Sequence, residues 1–243
     1  MLRLPPSDRL LKTGPVDAVE QYFAGGFGWV LRQRLQWVCD ALPRGPLFSV
    51  LEIGYGSAIF FYELSVHADR IVGIDVHPHG AAVRKRLLAD RIVAELAQAS
   101  GMALPFRDGS FDVVVIVSAL EFMDDPGLCL RESLRVVKPG GLVTAVTPRI
   151  LPWADRLYRV LVGWDPESDF RGGRDRVQRA LADPALQAER RNRPWGLPPP
   201  FAPYELVSLR RPDGERQPPR PRTAPRDYAG TRSDDRPAAG APQ

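Results

Sequence analysis

Nine consecutive residues, Val50-Leu51-Glu52-Ile53-Gly54-Tyr55-Gly56-Ser57-Ala58, read as a strand running into a glycine turn. Gly54 permits a tight turn, and Gly56 lets a ligand approach the backbone with no Cβ in the way. A helix is expected over 58–65, and the N–H groups that open it would favour a negatively charged group. Twenty-one residues beyond Gly54, Asp75 closes a second strand, Ile71-Val72-Gly73-Ile74-Asp75. A carboxylate there is placed to accept hydrogen bonds from ribose hydroxyls. Glycine turn plus acid at this spacing points to a nucleoside-containing cofactor. The same pattern also suits a structural strand-turn-helix with an incidental Asp.

Several other chemistries are excluded by what stands at particular positions. The dinucleotide fingerprint would put its third glycine at 59, which is Ile59. A short-chain dehydrogenase needs a Tyr four residues before a Lys. The residues four before Lys12, Lys85 and Lys138 are Asp8, Ala81 and Leu134. No Gly-Lys pair and no G-x-S-x-G occurs, so a P-loop and a nucleophile elbow are both absent. His77-Pro78-His79 offers two imidazoles without further ligands, and Cys39 and Cys129 cannot build a thiolate cage, so no metal is expected.

The elements that must position this loop follow from periodicity. A helix-like stretch over 19–42, interrupted by Gly25-Gly26-Phe27-Gly28, comes first and is stopped by Pro43-Arg44-Gly45-Pro46. Strands are expected over 48–53, 70–75, 92–97, 111–118 and 142–147, with helices over 58–65 and 81–90 between them. A further helix opens at Asp125-Pro126, an N-cap carboxylate before a proline at the first helical position, and ends at Lys138-Pro139-Gly140-Gly141. Beyond Pro148, helices over 151–162 and 178–186 and a strand over 204–210 complete the pattern. Strands alternating with helices imply an α/β fold: a Rossmann-like, doubly wound, mostly parallel sheet of about seven strands. A helical N-terminal lid and a helical insert after the fifth strand flank it. The chain divides into a loose N-terminus (1–16), one domain (17–211, with its cofactor-binding core at 47–148) and a disordered tail (212–243).

Four blocks match a known family in order and spacing: Glu52-x-Gly54-x-Gly56; Gly73-Ile74-Asp75; Ala103-Leu104-Pro105-Phe106-x-Asp108-x-Ser110-Phe111-Asp112; and Arg135-Val136-Val137-Lys138-Pro139-Gly140-Gly141. They resemble the class I S-adenosylmethionine-dependent methyltransferases, of the small-molecule "type 11" subgroup, over roughly residues 49–148. The resemblance implies S-adenosyl-L-methionine as cofactor and direct SN2 methyl transfer. The turn at Gly54, Tyr55 and Gly56 would face the methionine moiety, with Glu52 beneath it. Asp75 would hold the ribose and Val76 would lie against the adenine. Gly101 and Met102 would border the adenine edge, Met102 through a backbone N–H. Ser118 would close the pocket near the sulfonium. The sequence departs from the family at Ala58, where a third glycine is usual, and at Ser100, where an acid is frequent.

Methyl transfer rests largely on alignment of donor and acceptor, and a general base is needed only where the acceptor must lose a proton. Glu121 and His77 are the candidates near the mouth, and Glu121 also reads as a solvated loop acid. Tyr22 on the N-terminal segment and Trp153 after the fifth strand are the candidate lid and substrate residues. The aromatic character of these flanks suggests a small hydrophobic or aromatic acceptor, although core packing explains it equally. The alternative is a regulatory or scaffold protein that kept the fold and lost turnover.

Composition sets the remaining limits. The 243 residues carry 33 Lys and Arg against 29 Asp and Glu. The tail from Arg211 contributes seven Arg and five acids, so two of the four net positive charges lie in it, and a nucleic-acid partner is not expected. No apolar run approaches the ~20 residues that span a bilayer. Peripheral membrane contact through Trp153, Tyr158 and Trp164 is a minor alternative. Two cysteines and no secretory signal at the N-terminus make the cytoplasm the expected compartment.

Overall fold

The computed structural model describes residues 2–14, 17, 19–162, 170–191 and 203–214. The expected tail from 215 onward, Trp164, and the side chain of Tyr158 lie outside the described residues. Seven strands form one sheet: β1 (Leu47–Ile53), β2 (Ala68–Asp75), β3 (Glu95–Gln98), β4 (Phe111–Val117), β5 (Val137–Pro148), β6 (Glu189–Arg191) and β7 (Tyr204–Arg210). Their order is β3-β2-β1-β4-β5-β7-β6. Pairs among β1 to β5 are parallel, while β5–β7 and β6–β7 are antiparallel.

Among the described residues the helices are α1 (Gly25–Ala41), α2 (Phe61–Leu64), α3 (Gly80–Ala89), α4 (Pro126–Val136), α5 (Pro152–Val162) and α6 (Gly173–Leu181). Parallel strands buried on both faces need apolar side chains at every position. The run Val113-Val114-Val115-Ile116 meets this need by dividing between two cores. Val113 and Val115 join Leu31, Leu35, Phe61, Leu64 and Val83 on the α1–α3 face. Val114 and Ile116 join Leu130, Val136, Val177 and Leu181 on the α4–α6 face.

Several boundaries differ from the sequence expectation: β3 spans Glu95–Gln98 rather than 92–97, and β5 begins at Val137 rather than 142. The 58–65 helix shrinks to Phe61–Leu64, preceded by turns. The last helix of the domain begins at Gly173 rather than 178 and ends at Leu181. The glycines expected to interrupt the first helix lie inside its opening turns. Gly28 is one of them because a Cβ there would stand 2.7 Å from the carbonyl oxygens of both Gln21 and Tyr22. That helix therefore lies hard against the preceding 3-10 turn (Glu20–Phe23). Asp125 caps α4 as expected, its Oδ1 accepting from Leu128 N–H at 2.8 Å.

The third sequence block serves packing. Arg135 on α4 donates to the carbonyls of Leu104 and Phe106 and to Asp108, while Glu132 accepts from Leu104 N–H at 3.1 Å, so the 104–108 loop is strapped to the helix. Gly73 serves it too. A Cβ there would come within 2.7 Å of Phe61, 2.8 Å of Tyr55 and 3.0 Å of Leu96. Gly73→Ala overpacks this junction and is expected to lower stability by about 1–3 kcal/mol in urea unfolding.

Candidate active site

β1 lies between β2 and β4, so the chains leaving β1 and β4 turn to opposite faces and open a crevice at their carboxyl ends. Gly54 takes φ +76°, and a Cβ on it would stand 2.6 Å from Ala119 Cβ in the chain after β4. Gly56 takes φ +49°, and the carboxyl of Asp17 lies 3.7 Å from where its Cβ would be. Asp75 Oδ2 accepts from Gly56 N–H at 2.9 Å, and its Oδ1 accepts from His77 N–H at 3.2 Å. His77 is held in turn. Its Nδ1 accepts from His79 N–H at 3.1 Å, which leaves Nε2 protonated to donate to Gly56 O at 3.0 Å. The ring stands edge-on to Tyr55 at 4.9 Å. Thus Asp75 and His77 together brace the glycine turn.

The turn differs from the expectation in one physical respect. With α2 reduced to four residues, no aligned helix N-terminus faces the ligand. Ala58 N–H is spent on Tyr55 O at 2.7 Å, and Ala58 itself adopts φ +59°. A Cβ in the left-handed region costs about 1 kcal/mol, so the missing third glycine is felt as strain in the turn.

Around this turn lie buried ionisable groups. Glu52, at the end of β1, is 4% exposed, its Oε2 has no hydrogen-bond partner, and burial followed by repulsion from Asp75 pushes its pKa well up. Glu121 follows β4 on a 3-10 turn (Leu120–Phe122) and is 1% exposed. It is not the solvated loop acid considered above, because α6 covers it: a Cβ on Gly173 would stand 1.6 Å from Glu121 O. Its Oε2 is 3.5 Å from Thr147 Oγ1 and its Oε1 has no partner. Burial raises its pKa to about 7, against the pull of its own backbone, Arg34, Thr147 and Arg174.

Arg34 of α1 was missed by the sequence reading. Its Nη1 donates to Ser118 Oγ at 2.5 Å and its Nη2 to Tyr22 Oη at 3.0 Å. The guanidinium lies 4.9 Å from the Tyr204 ring centroid and 5.6 Å from that of Tyr22. Burial opposes its charge, yet Tyr22, Tyr204 and Glu121 hold it protonated. The signal was present: Arg34 sits on the apolar face formed by Leu31, Leu35 and Val38, where a charge has no solvent.

The other expected site residues divide. Tyr22 is buried beside Arg34. Ser118 takes φ +50° and is held by Val146 O at 2.8 Å as well as by Arg34. Val76 is 70% exposed, an apolar face open at the crevice edge. Tyr55 turns its ring inward against Phe61 and His77, and burial raises its phenol to about 12. Gly101 is forced by packing, since a Cβ would meet Ile53 at 2.8 Å and Cys129 at 3.1 Å. Met102 N–H already donates to Ser100 Oγ at 3.2 Å. Trp153 on α5 is half-exposed.

Comparison with known proteins bears on residues 51–145, which match the family described as "Methyltransferase domain". Over this stretch the chain is similar to that family. The chain is 37% identical over 108 residues to 2-methyl-6-phytyl-1,4-hydroquinone methyltransferase of Synechocystis, covering 43% of this chain and 32% of that protein. It is 33% identical over 123 residues to demethylmenaquinone methyltransferase of Lactococcus lactis, covering 47% and 49%. The alignment therefore spans a third to a half of these relatives. N-methyltransferase NodS from Bradyrhizobium japonicum, solved with S-adenosyl-L-homocysteine, shares the fold at TM-score 0.53 and 17% identity, over 85% of this chain and 97% of that one. The crevice meets the demands of a cationic nucleoside cofactor. It offers a turn without Cβ atoms at Gly54 and Gly56, an unpartnered buried oxygen on Glu52, and an exposed apolar Val76.

Glu121 links the site to stability. Its folded pKa of about 7 exceeds the ordinary 4.5, so the stability it allows is full below pH 4.5 and is lost as pH rises through about 7. Glu121→Gln removes that loss. The variant is expected to match the wild type near pH 4 and to exceed it at pH 8 by up to roughly 3 kcal/mol in urea unfolding.

Proposed function

We propose that the protein is an S-adenosyl-L-methionine-dependent methyltransferase acting on a small hydrophobic or aromatic acceptor, within one domain spanning 17–211. The observation that carries this is the set of buried charges around the glycine turn. Glu52 and Asp17 offer carboxyl groups on the methionine side, and Arg34 is the cation suited to the cofactor carboxylate. Asp75 is suited to the ribose and Val76 to the adenine face. When bound, the cofactor would supply an electrophilic methyl group on a sulfonium for direct transfer to the acceptor, with the thioether as leaving group. Ser118 and Glu121 follow β4 next to Arg34, and an acceptor whose entry displaces the cover of α6 would give up its hydroxyl proton to Glu121 Oε1.

Burying a carboxylate oxygen without a partner costs about 1–3 kcal/mol. Two such oxygens, on Glu52 and Glu121, support a chemical site over the scaffold alternative, which would gain nothing from keeping them. The hydrophobic acceptor is supported by the quinone-type substrates named for the two relatives and by the aromatic groups Tyr22, Tyr204 and Trp153.

Two measurements test the reading. Calorimetry should give micromolar binding of S-adenosylmethionine and S-adenosylhomocysteine, weakened more than tenfold by Asp75→Ala and by Arg34→Gln. No binding at millimolar ligand overturns it. With isoprenoid-tailed hydroquinones as acceptors, kcat should rise with pH through about 7, since only ionised Glu121 accepts a proton, and Glu121→Gln should lower kcat at least tenfold and abolish that rise.

A further inference from the structure

A second cluster of ligating groups lies away from the crevice, where the end of α1 meets the turn before β2. Cys39 occupies the last turn of α1, Glu63 lies on α2, and His67 follows it four residues later. One sulfur, one carboxylate oxygen and one ring nitrogen from these residues all lie within 4.8 Å of one another. His67 Nε2 and Glu63 Oε1 are 2.9 Å apart. Glu63 is 9% exposed, and among the described residues its ion-pair partner is His67 rather than any Lys or Arg. Its other oxygen accepts from Arg3 N–H at 2.5 Å. A buried carboxylate facing a thiol and an imidazole thus lacks a permanent cation.

We propose that Cys39, Glu63 and His67 bind one divalent metal ion of the zinc class, with water in the fourth position. The donor set decides the class. Sulfur with nitrogen and one carboxylate suits borderline ions such as zinc, whereas magnesium and calcium require oxygen ligands throughout. Charge also fits, because a thiolate and a carboxylate neutralise a divalent ion. Binding displaces one proton from the Cys39 thiol, which stays protonated without metal. The Glu63–His67 spacing of four residues puts both on one side of a helical turn, and Cys39 approaches from the other. Arg3 N–H on the free carboxylate oxygen orients the ligand in the way that outer groups orient metal-bound carboxylates. Closing the site moves the sulfur toward the other two donors by side-chain rotation, since tetrahedral zinc takes sulfur at about 2.3 Å and nitrogen at about 2.0–2.1 Å. The ion would fasten the end of α1, five residues beyond Arg34, to the layer beneath it.

The test is metal titration of the full chain stripped with chelator. Cobalt should give a saturable thiolate-to-metal charge-transfer band at one equivalent. Zinc should displace it, raise Tm and release about one proton, while magnesium should do none of these. Cys39→Ser should abolish the band, and His67→Gln should weaken zinc binding at least tenfold, with circular dichroism confirming that both variants fold. Should Cys39→Ser fail to fold, the band in the wild type and the weakened zinc affinity of His67→Gln decide alone. Absence of the band at millimolar cobalt, or zinc affinity unchanged in either variant, overturns the proposal. Cofactor binding is measured separately, so the outcome is independent of the methyltransferase reading.

Discussion

Arg34 stands where a guanidinium has almost no water, and the arrangement of the crevice depends on how it is compensated. Two phenol rings, the Ser118 hydroxyl and the field of Glu121 hold it charged. In a low-dielectric interior such a group is tolerated only if its donors are placed and opposite charge is near. α1 must therefore lie against the sheet at one height, with Tyr22 packed behind it and Ser118 in a left-handed conformation to offer its oxygen. The same burial that strains Arg34 raises Glu52 and Glu121. The crevice is thus a set of charges held out of water, ready to exchange one another's company for a ligand's.

Sheet topology brings these groups together. The reversal between β1 and β4 separates their following chains, and Gly54 with Ala119 marks how closely those chains still pass. The antiparallel β7 is what delivers Tyr204. Its register pairs Tyr204 with Pro148 and Glu205 with Thr147, so the first residue of β7 lies at the carboxyl end of β5. A parallel strand would have put that tyrosine at the opposite edge of the sheet. The aromatic ring over Arg34 is therefore a consequence of strand direction.

Beside the crevice, the glycine turn is held by its own chain. Asp75 and His77 both bind Gly56, one at N–H and one at C=O. The proposed ribose recognition by Asp75 is compatible with its bracing role, because a carboxylate has about four acceptor sites and the turn uses two. Ala58 adds left-handed strain to the same turn, and such strain persists only where the surroundings over-determine the conformation.

Much of this was legible from residue order. Apolar β-branched runs such as Val113–Val117, the Asp125-Pro126 cap and the Gly54–Asp75 spacing act through local geometry, so the parallel core, its strands and its glycine turn follow from the sequence alone. The match of residues 51–145 to a methyltransferase domain falls on those same blocks. What the sequence could not decide was which polar side chains lose their water. Glu121 reads as a loop acid until α6, fifty residues later, lies across it. Arg34 reads as one arginine among many until Tyr22 and Tyr204 close on it. The conjunction of Cys39, Glu63 and His67 likewise exists only where the end of α1 meets α2 and the turn before β2. Burial, and the pKa and charge pairing that follow from it, is a property of contacts between segments distant in the chain, and only the tertiary structure sets it.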